Sequence, residues 1–251
     1  MVITRNALRE KIRRKDFYAV IGTSIFIMLV FTTGQGTLSI DGVAITDFIN
    51  LLPFLMVIIN VIGGALAIAL SLSTIPNEYE RKTSHLVWIR GIKQISYHGQ
   101  LVLANIICGV LATFILYMGV GVLAVVKGEI NMIPRMFFAF FILSISIIFI
   151  CVFTSVVSII LPTLLAGVIS VAFLSVGVLH SVIELAPNMM EGLVSSVIKL
   201  ILFFVPNLNL IQLQASNLIL RKEIDIHGLL DGLLAIYIMV LLLFVSRRQE
   251  A

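Results

Sequence analysis

The chain has 251 residues, 60% of them hydrophobic and 12% charged, and a mean hydropathy of +1.13. No soluble domain of this size buries that much apolar surface, so the composition points to a lipid-embedded protein. The formal net charge of +4 therefore belongs to loops that set topology, and no nucleic-acid partner is expected.

A transmembrane helix needs roughly 20 mostly apolar residues to cross about 30 Å of hydrocarbon. By that measure the sequence predicts one all-α polytopic domain over 1–251, with six spans at 17–33, 48–75, 101–126, 136–161, 163–183 and 229–246. The first sixteen residues are basic and do not read as a cleavable signal. Leu8 and Ile12, with Phe17 beyond them, share one side of a helix otherwise ringed by Arg and Lys. This predicts an amphipathic elbow lying in the headgroup layer. Gly63-Gly64 marks a bend in the second span. The charged stretch 76–93, PNEYERKTSHLVWIRGIK, follows it. Pro76 suits the first turn of a helix, Asn77 is a helix-start residue, and Glu78 and Glu80 complement the positive end. Gly91 ends this short helix, and an amphipathic piece over 92–100 leads into the third span. Leu86, Trp88 and Ile89 have little reason to sit in a solvated loop and suit a protein interface.

Pro162 separates the fourth and fifth spans. The region 184–225 contains VSSVIKLILFFVPNLNLI, apolar but short and interrupted by Pro206, and reads as a re-entrant hairpin rather than a further span. With six spans and the N-terminus inside, twelve of the 17 Lys and Arg residues lie on the cytoplasmic side: Arg5, Arg9, Lys11, Arg13, Arg14, Lys15, Arg81, Lys82, Arg90, Lys93, Arg247 and Arg248. The positive-inside bias predicts both termini in the cytoplasm and 184–225 outside.

No chemistry-bearing motif appears. A P-loop requires GxxxxGK[ST], and neither Gly34-Gln35-Gly36 nor Lys82-Thr83 provides it. There is no HExxH pair and no GxSxG elbow, and His85, His98, His180 and His227 are dispersed, so no catalytic, cofactor-binding or metal-ligating residues are assigned. Cys108 and Cys151 lie within apolar runs and read as core thiols. His180 is the one ionisable residue picked out within the spans as a candidate for work there.

The stretch EYERKTSHLVWIRGIKQISYHGQ resembles the turn after the second span in ABC-2 type permeases. Glu78, Glu80 and Thr83 stand at the family's E-x-E-x-x-x-T-like positions, and Gln100 at the start of the third span; Lys82 replaces the Gly that often precedes the Thr. FVPNLNLI at 204–211 is similar to the family's Pro-Asn stretch before the last span. The resemblance extends over the chain by topology. It implies a permease subunit in the cell membrane that pairs with a second permease, identical or different, and with a separate cytoplasmic ATPase holding ATP and Mg. It also implies a coupling helix, with Glu78, Tyr79, Glu80, Arg81, Thr83 and Leu86 facing that ATPase. A translocation route would run past Asn50, Asn60, Ser71, Thr163, Ser170 and His180. Those polar residues equally suit hydrogen bonding between helices. The implied function is outward movement of an amphipathic or hydrophobic cargo, such as a peptide toxin or antimicrobial peptide. An ion-conducting or sensory membrane protein without an ATPase is the alternative.

Overall fold

The computed structural model describes residues 2–13, 18, 19, 22, 23, 25, 26, 29, 38–40, 43–45, 47–82, 87, 89, 91–185 and 193–245. Among the described residues the regular structure is helical apart from one antiparallel strand pair, β1 (Leu38–Ile40) with β2 (Val43–Ile45), in which Leu38 is opposite Ile45. In the sequence the two strands are separated by Asp41-Gly42, a dipeptide favoured in two-residue hairpins. The helices are α1 (Val2–Arg13), α2 (Phe48–Leu72), α3 (Thr74–Glu80), α4 (Gln94–Val126), α5 (Ile133–Ile160), α6 (Thr163–Val178), α7 (His180–Ile183), α8 (Leu193–Phe204), α9 (Leu208–Leu220) and α10 (Ile226–Val245).

Among the described residues, four helical stretches are long and apolar enough to cross a membrane: 48–80, 94–126, 130–160 and 226–245. Counting the bent pair α8–α9 as one span makes five. The chain is thus a multi-pass membrane protein by length and composition. The six-span count extends beyond this. Most of 17–33 lies outside the described residues, and the predicted fifth span is only 16 residues of regular helix before a break at Leu179. The third span also starts earlier than expected, because α4 runs unbroken from Gln94 through the stretch read as a separate amphipathic piece.

α5 is the central helix, packed against α2, α4, α6, α9 and α10. Every residue from Cys151 to Val156 is buried, and a helix buried all round is the expected core element. Two of its serine hydroxyls are reconciled with that burial by back-bonding: Ser144 donates to Phe140 O at 2.8 Å and Ser155 to Cys151 O at 2.7 Å.

The bundle has two ends. At the proximal end, Leu243 of α10 packs with Ile75, Tyr97, Leu101 and Ile159, and Ile3 and Ala7 of α1 join the same cluster. At the distal end, Phe48, Leu123, Met132, Met136 and Ile219 share a cluster. The N-terminal helix and the C-terminal end of α10 therefore lie at the same end.

α6 rises from the proximal turn at Pro162 for about 24 Å, given 16 residues at about 1.5 Å each. It stops short of the distal end. α9 begins beside it: Leu208 joins Ala67, Ile150, Leu174 and Val178 in one cluster, and Ile219 reaches the distal cluster. α2 is thus covered by α6 along its proximal half and by α9 along its distal half. The break between α8 and α9 falls at Val205–Asn207 and bends the chain by 55°. Pro206 has no N–H to continue a helix, and Asn207 starts the next one by accepting from Leu210 N at 3.0 Å. A bent pair of this kind is either a broken span or a re-entrant loop. Residues 186–192, within the predicted outer region, lie outside the described residues.

α2 is assigned as helix through Gly63 and Gly64. The glycines give close approach: a Cβ at Gly63 would lie 2.8 Å from Thr113 Oγ1, and one at Gly64 2.6 Å from Leu174 Cδ1. In α1, Ile3, Ala7, Leu8 and the buried Lys11 pack into the bundle, while Ile12, expected on the same apolar side as Leu8, is 43% exposed. Phe17 lies outside the described residues.

Candidate coupling surface and buried polar junctions

The charged stretch forms a cap on the proximal end. α2 ends at Leu72, and α3 restarts the helix one residue later, so the short helix begins at Thr74 rather than at Pro76. Ile75 and Pro76 are buried beneath it. Side chains then fasten α3 to α4. Tyr97 donates to Glu78 Oε2 at 2.6 Å, Gln94 Nε2 donates to the Tyr79 hydroxyl at 2.8 Å, and that hydroxyl pairs with His98 Nε2 at 2.9 Å. Arg81 Nη1 donates to Glu10 Oε1 at 2.9 Å, tying the turn to α1. That hydrogen bond, and then the Glu10 charge, raise the Arg81 pKa above its usual value, so the guanidinium is always charged here. Both partners are exposed, and exposed pairs contribute little to stability. Arg81→Gln should therefore leave the thermal unfolding midpoint of the purified protein unchanged within error.

Of the six residues read as partner-facing, Glu78, Tyr79 and Arg81 thus make bonds within the chain. Glu80 is exposed, and Thr83 and Leu86 lie outside the described residues. Lys82 is exposed with φ +56°, and Gly91 takes φ +73° where the chain leaves the turn. Ile89, between them, is 82% exposed. Glu80, Lys82 and Ile89 thus supply exposed charge and an exposed apolar side chain within one short stretch of sequence.

Beneath the cap lies a junction that the sequence reading missed. Lys11 is 5% exposed and donates to Leu70 O at 2.5 Å and to Asn105 Oδ1. Asn105 Oδ1 also accepts from Thr74 Oγ1 at 3.0 Å, while Asn105 Nδ2 donates to Ser155 Oγ at 3.0 Å. One amide thus joins α1, α3, α4 and α5. The available signal was a lone Asn within LVLANIICGV, since a polar residue inside a membrane helix needs partners.

A second junction lies midway along α2. Asn60 Nδ2 donates to Gln212 Oε1 at 2.9 Å, Ser146 Oγ donates to Asn60 Oδ1 at 2.7 Å, and Gln212 Nε2 donates to Asn209 Oδ1 at 2.6 Å. α2, α5 and α9 are pinned together there. A third junction lies where α6 stops: His180 Nε2 pairs with Leu202 O at 3.3 Å, and Asn207 Nδ2 with Ser181 Oγ at 3.5 Å. Broken helices expose backbone polar groups, and polar side chains of this kind satisfy them.

The six route residues do not converge. Asn60 and His180 take part in these junctions. Ser71 and Ser170 are buried in α2 and α6, Asn50 is exposed near the distal start of α2, and Thr163 is half-buried at the proximal start of α6. His180 is also not the one ionisable group of the spans, since Asp231 lies exposed near the start of α10, inside the predicted last span. Cys108 and Cys151 are buried free thiols. Among the described residues no three His, Cys, Asp or Glu side chains are grouped to hold a metal. No protein-family model, curated protein or solved structure matches this chain.

Proposed function

We propose that this chain is the membrane-spanning subunit of an ATP-driven exporter of the ABC-2 type, working with a second permease and a cytoplasmic ATPase that binds ATP and Mg. The observation that carries the reading is the braced cap at the proximal end. A short helix continuous with a spanning helix is fastened by Glu78, Tyr79 and Arg81 to α4 and α1, and it leaves Glu80, Lys82 and Ile89 exposed. A push on such a cap reaches α1, α2 and α4 together, which suits rigid-body switching between inner and outer openings.

In this reading the coupling residues divide. Glu78, Tyr79 and Arg81 hold the cap in shape, and Glu80 and Lys82 meet the ATPase. Both ends of the chain face the cytoplasm, in keeping with their shared end of the bundle. The half-depth helix α9 belongs to a re-entrant segment on the outer side. The scarcity of charge within the long helices suits an amphipathic or hydrophobic cargo such as a peptide toxin or antimicrobial peptide, whether exported or removed in self-protection.

The deciding experiment is affinity isolation from gently solubilised native membranes, with the eluate assayed for ATP hydrolysis. An ATPase should co-purify in roughly equal amount. Glu80→Lys should cut its stimulation by about tenfold, the loss of one interfacial charge contact, while membrane insertion and unfolding midpoint hold. A dimeric protein that never brings an ATPase with it would sink this reading and favour a channel or sensor.

A further inference from the structure

We propose that the outward face of α1 binds the phosphate-bearing headgroup of an acidic phospholipid. The site is a cavity of about 520 Å³ lined by Asn6, Arg9, Glu10 and Arg13. This inference rests on membrane embedding and is independent of the exporter reading.

The faces of α1 are divided sharply. Residues 3, 4, 7, 8 and 11 turn into the bundle, and Lys11 fixes them there through Leu70 and Asn105. Arg5, Arg9 and Arg13 recur every fourth residue on the opposite side and are all exposed. Residues four apart lie one above the other on a helix, so this side is a guanidinium stripe. Because the buried face is bonded in place, the stripe has a fixed orientation.

Glu10 in the cavity wall would repel an anion if it stood alone. Its carboxylate instead accepts from Arg81 Nη1 at 2.9 Å, so its charge is already paired with a guanidinium from outside the cavity. Guanidinium groups bind phosphate through paired, charge-assisted hydrogen bonds, and the Asn6 amide adds a neutral donor. The depth selects the source of the phosphate. Ile3 and Ala7 pack against Ile75, Tyr97, Leu101 and Leu243, where the long apolar helices reach their polar ends. That is the level at which hydrocarbon gives way to headgroups, and basic clusters at that level attract anionic lipid. An acidic protein surface would face the same stripe, but a recess spanning two turns of one helix fits a compact anion better.

The test uses the full-length protein in detergent with equal amounts of phosphatidylglycerol and phosphatidylcholine, read by native mass spectrometry. The wild type should retain phosphatidylglycerol over phosphatidylcholine. Arg9→Gln with Arg13→Gln should lower that retention by about tenfold, as expected for lost charge-assisted bonds. Arg5→Gln removes the same kind of charge outside the cavity and should retain the lipid. All three positions are exposed, so folding should survive. Equal retention of both lipids by the wild type, or equal loss in Arg5→Gln, would overturn the site. Displacement of the lipid by millimolar inorganic phosphate would overturn the headgroup as its ligand, because the phosphate alone would then suffice.

Discussion

Asn105→Leu should be among the most damaging single substitutions in this protein, while Lys11→Met should cost much less. The amide of Asn105 is fully buried and faces Lys11 Nζ, Thr74 Oγ1 and Ser155 Oγ. Removing it takes an acceptor from a buried ammonium group, and a buried charge deprived of a partner costs about 3 kcal/mol or more. Removing the ammonium instead leaves Asn105 Oδ1 with Thr74 and spares the cost of desolvating a cation. The double variant Lys11→Met/Asn105→Leu should then be more stable than Asn105→Leu alone. Chemical unfolding of the four proteins in detergent measures this cycle, and the coupling between the two sites should exceed about 1 kcal/mol, as contacting residues show. Purely additive losses would mean that Lys11 does not depend on Asn105. α1 should also become more accessible to protease in Asn105→Leu, because the same amide holds it to the bundle.

This junction shows where the sequence stops being legible. Hydropathy alone marks α2, α4, α5 and α10, because an unbroken apolar run long enough to cross a bilayer has few other uses. Pro162 and Pro206 are nearly as plain, since a residue without an N–H disfavours a helix interior; both stand at breaks, although Pro53 lies inside α2. Lys11 is of a different kind. On sequence it is one more cation in a basic leader, with nothing local to set it apart from Arg9 or Arg13. It is buried because Leu70 and Asn105, distant in sequence, supply acceptors at one point. Gly63-Gly64 carries the same lesson. Two glycines in a long helix permit a bend or close packing, and only the fold shows Thr113 and Leu174 set against them. Glu78 and Arg81 look free to meet a partner in the sequence. Tyr97 and Glu10 occupy them in the fold, while Glu80 is exposed as charge patterning suggested.

Gly177→Val should disrupt the meeting of α6 and α9, and shortening Leu208 should restore it. A Cβ at Gly177 would lie 2.7 Å from Leu208 Cδ1 and 2.8 Å from its Cγ, with Pro206 O behind at 3.4 Å. Leu208 is fully buried among Ala67, Ile150, Leu174 and Val178. It cannot swing aside without displacing them, and a branched side chain adds volume in a fixed rotamer. Overpacking of this kind costs about 1–3 kcal/mol. Leu208→Ala alone leaves a cavity and costs about 2–5 kcal/mol. In the double variant the new isopropyl group fills the space that the leucine vacates, so its unfolding midpoint should lie above that of either single variant. This rescue discriminates between two roles for Gly177. If the glycine only relaxes the end of α6, shortening Leu208 brings no recovery, because the fault would lie in the backbone. If it provides room for the start of α9, volume returned on one side repairs volume added on the other. The second outcome is expected, because Gly177 sits inside the regular part of α6, before its last residue, Val178, where nothing in the backbone requires a glycine. The wall beside α2 then depends on the same contact. α6 covers only part of the length of α2, and α9 covers the rest, so the two short helices form one continuous wall only while they meet.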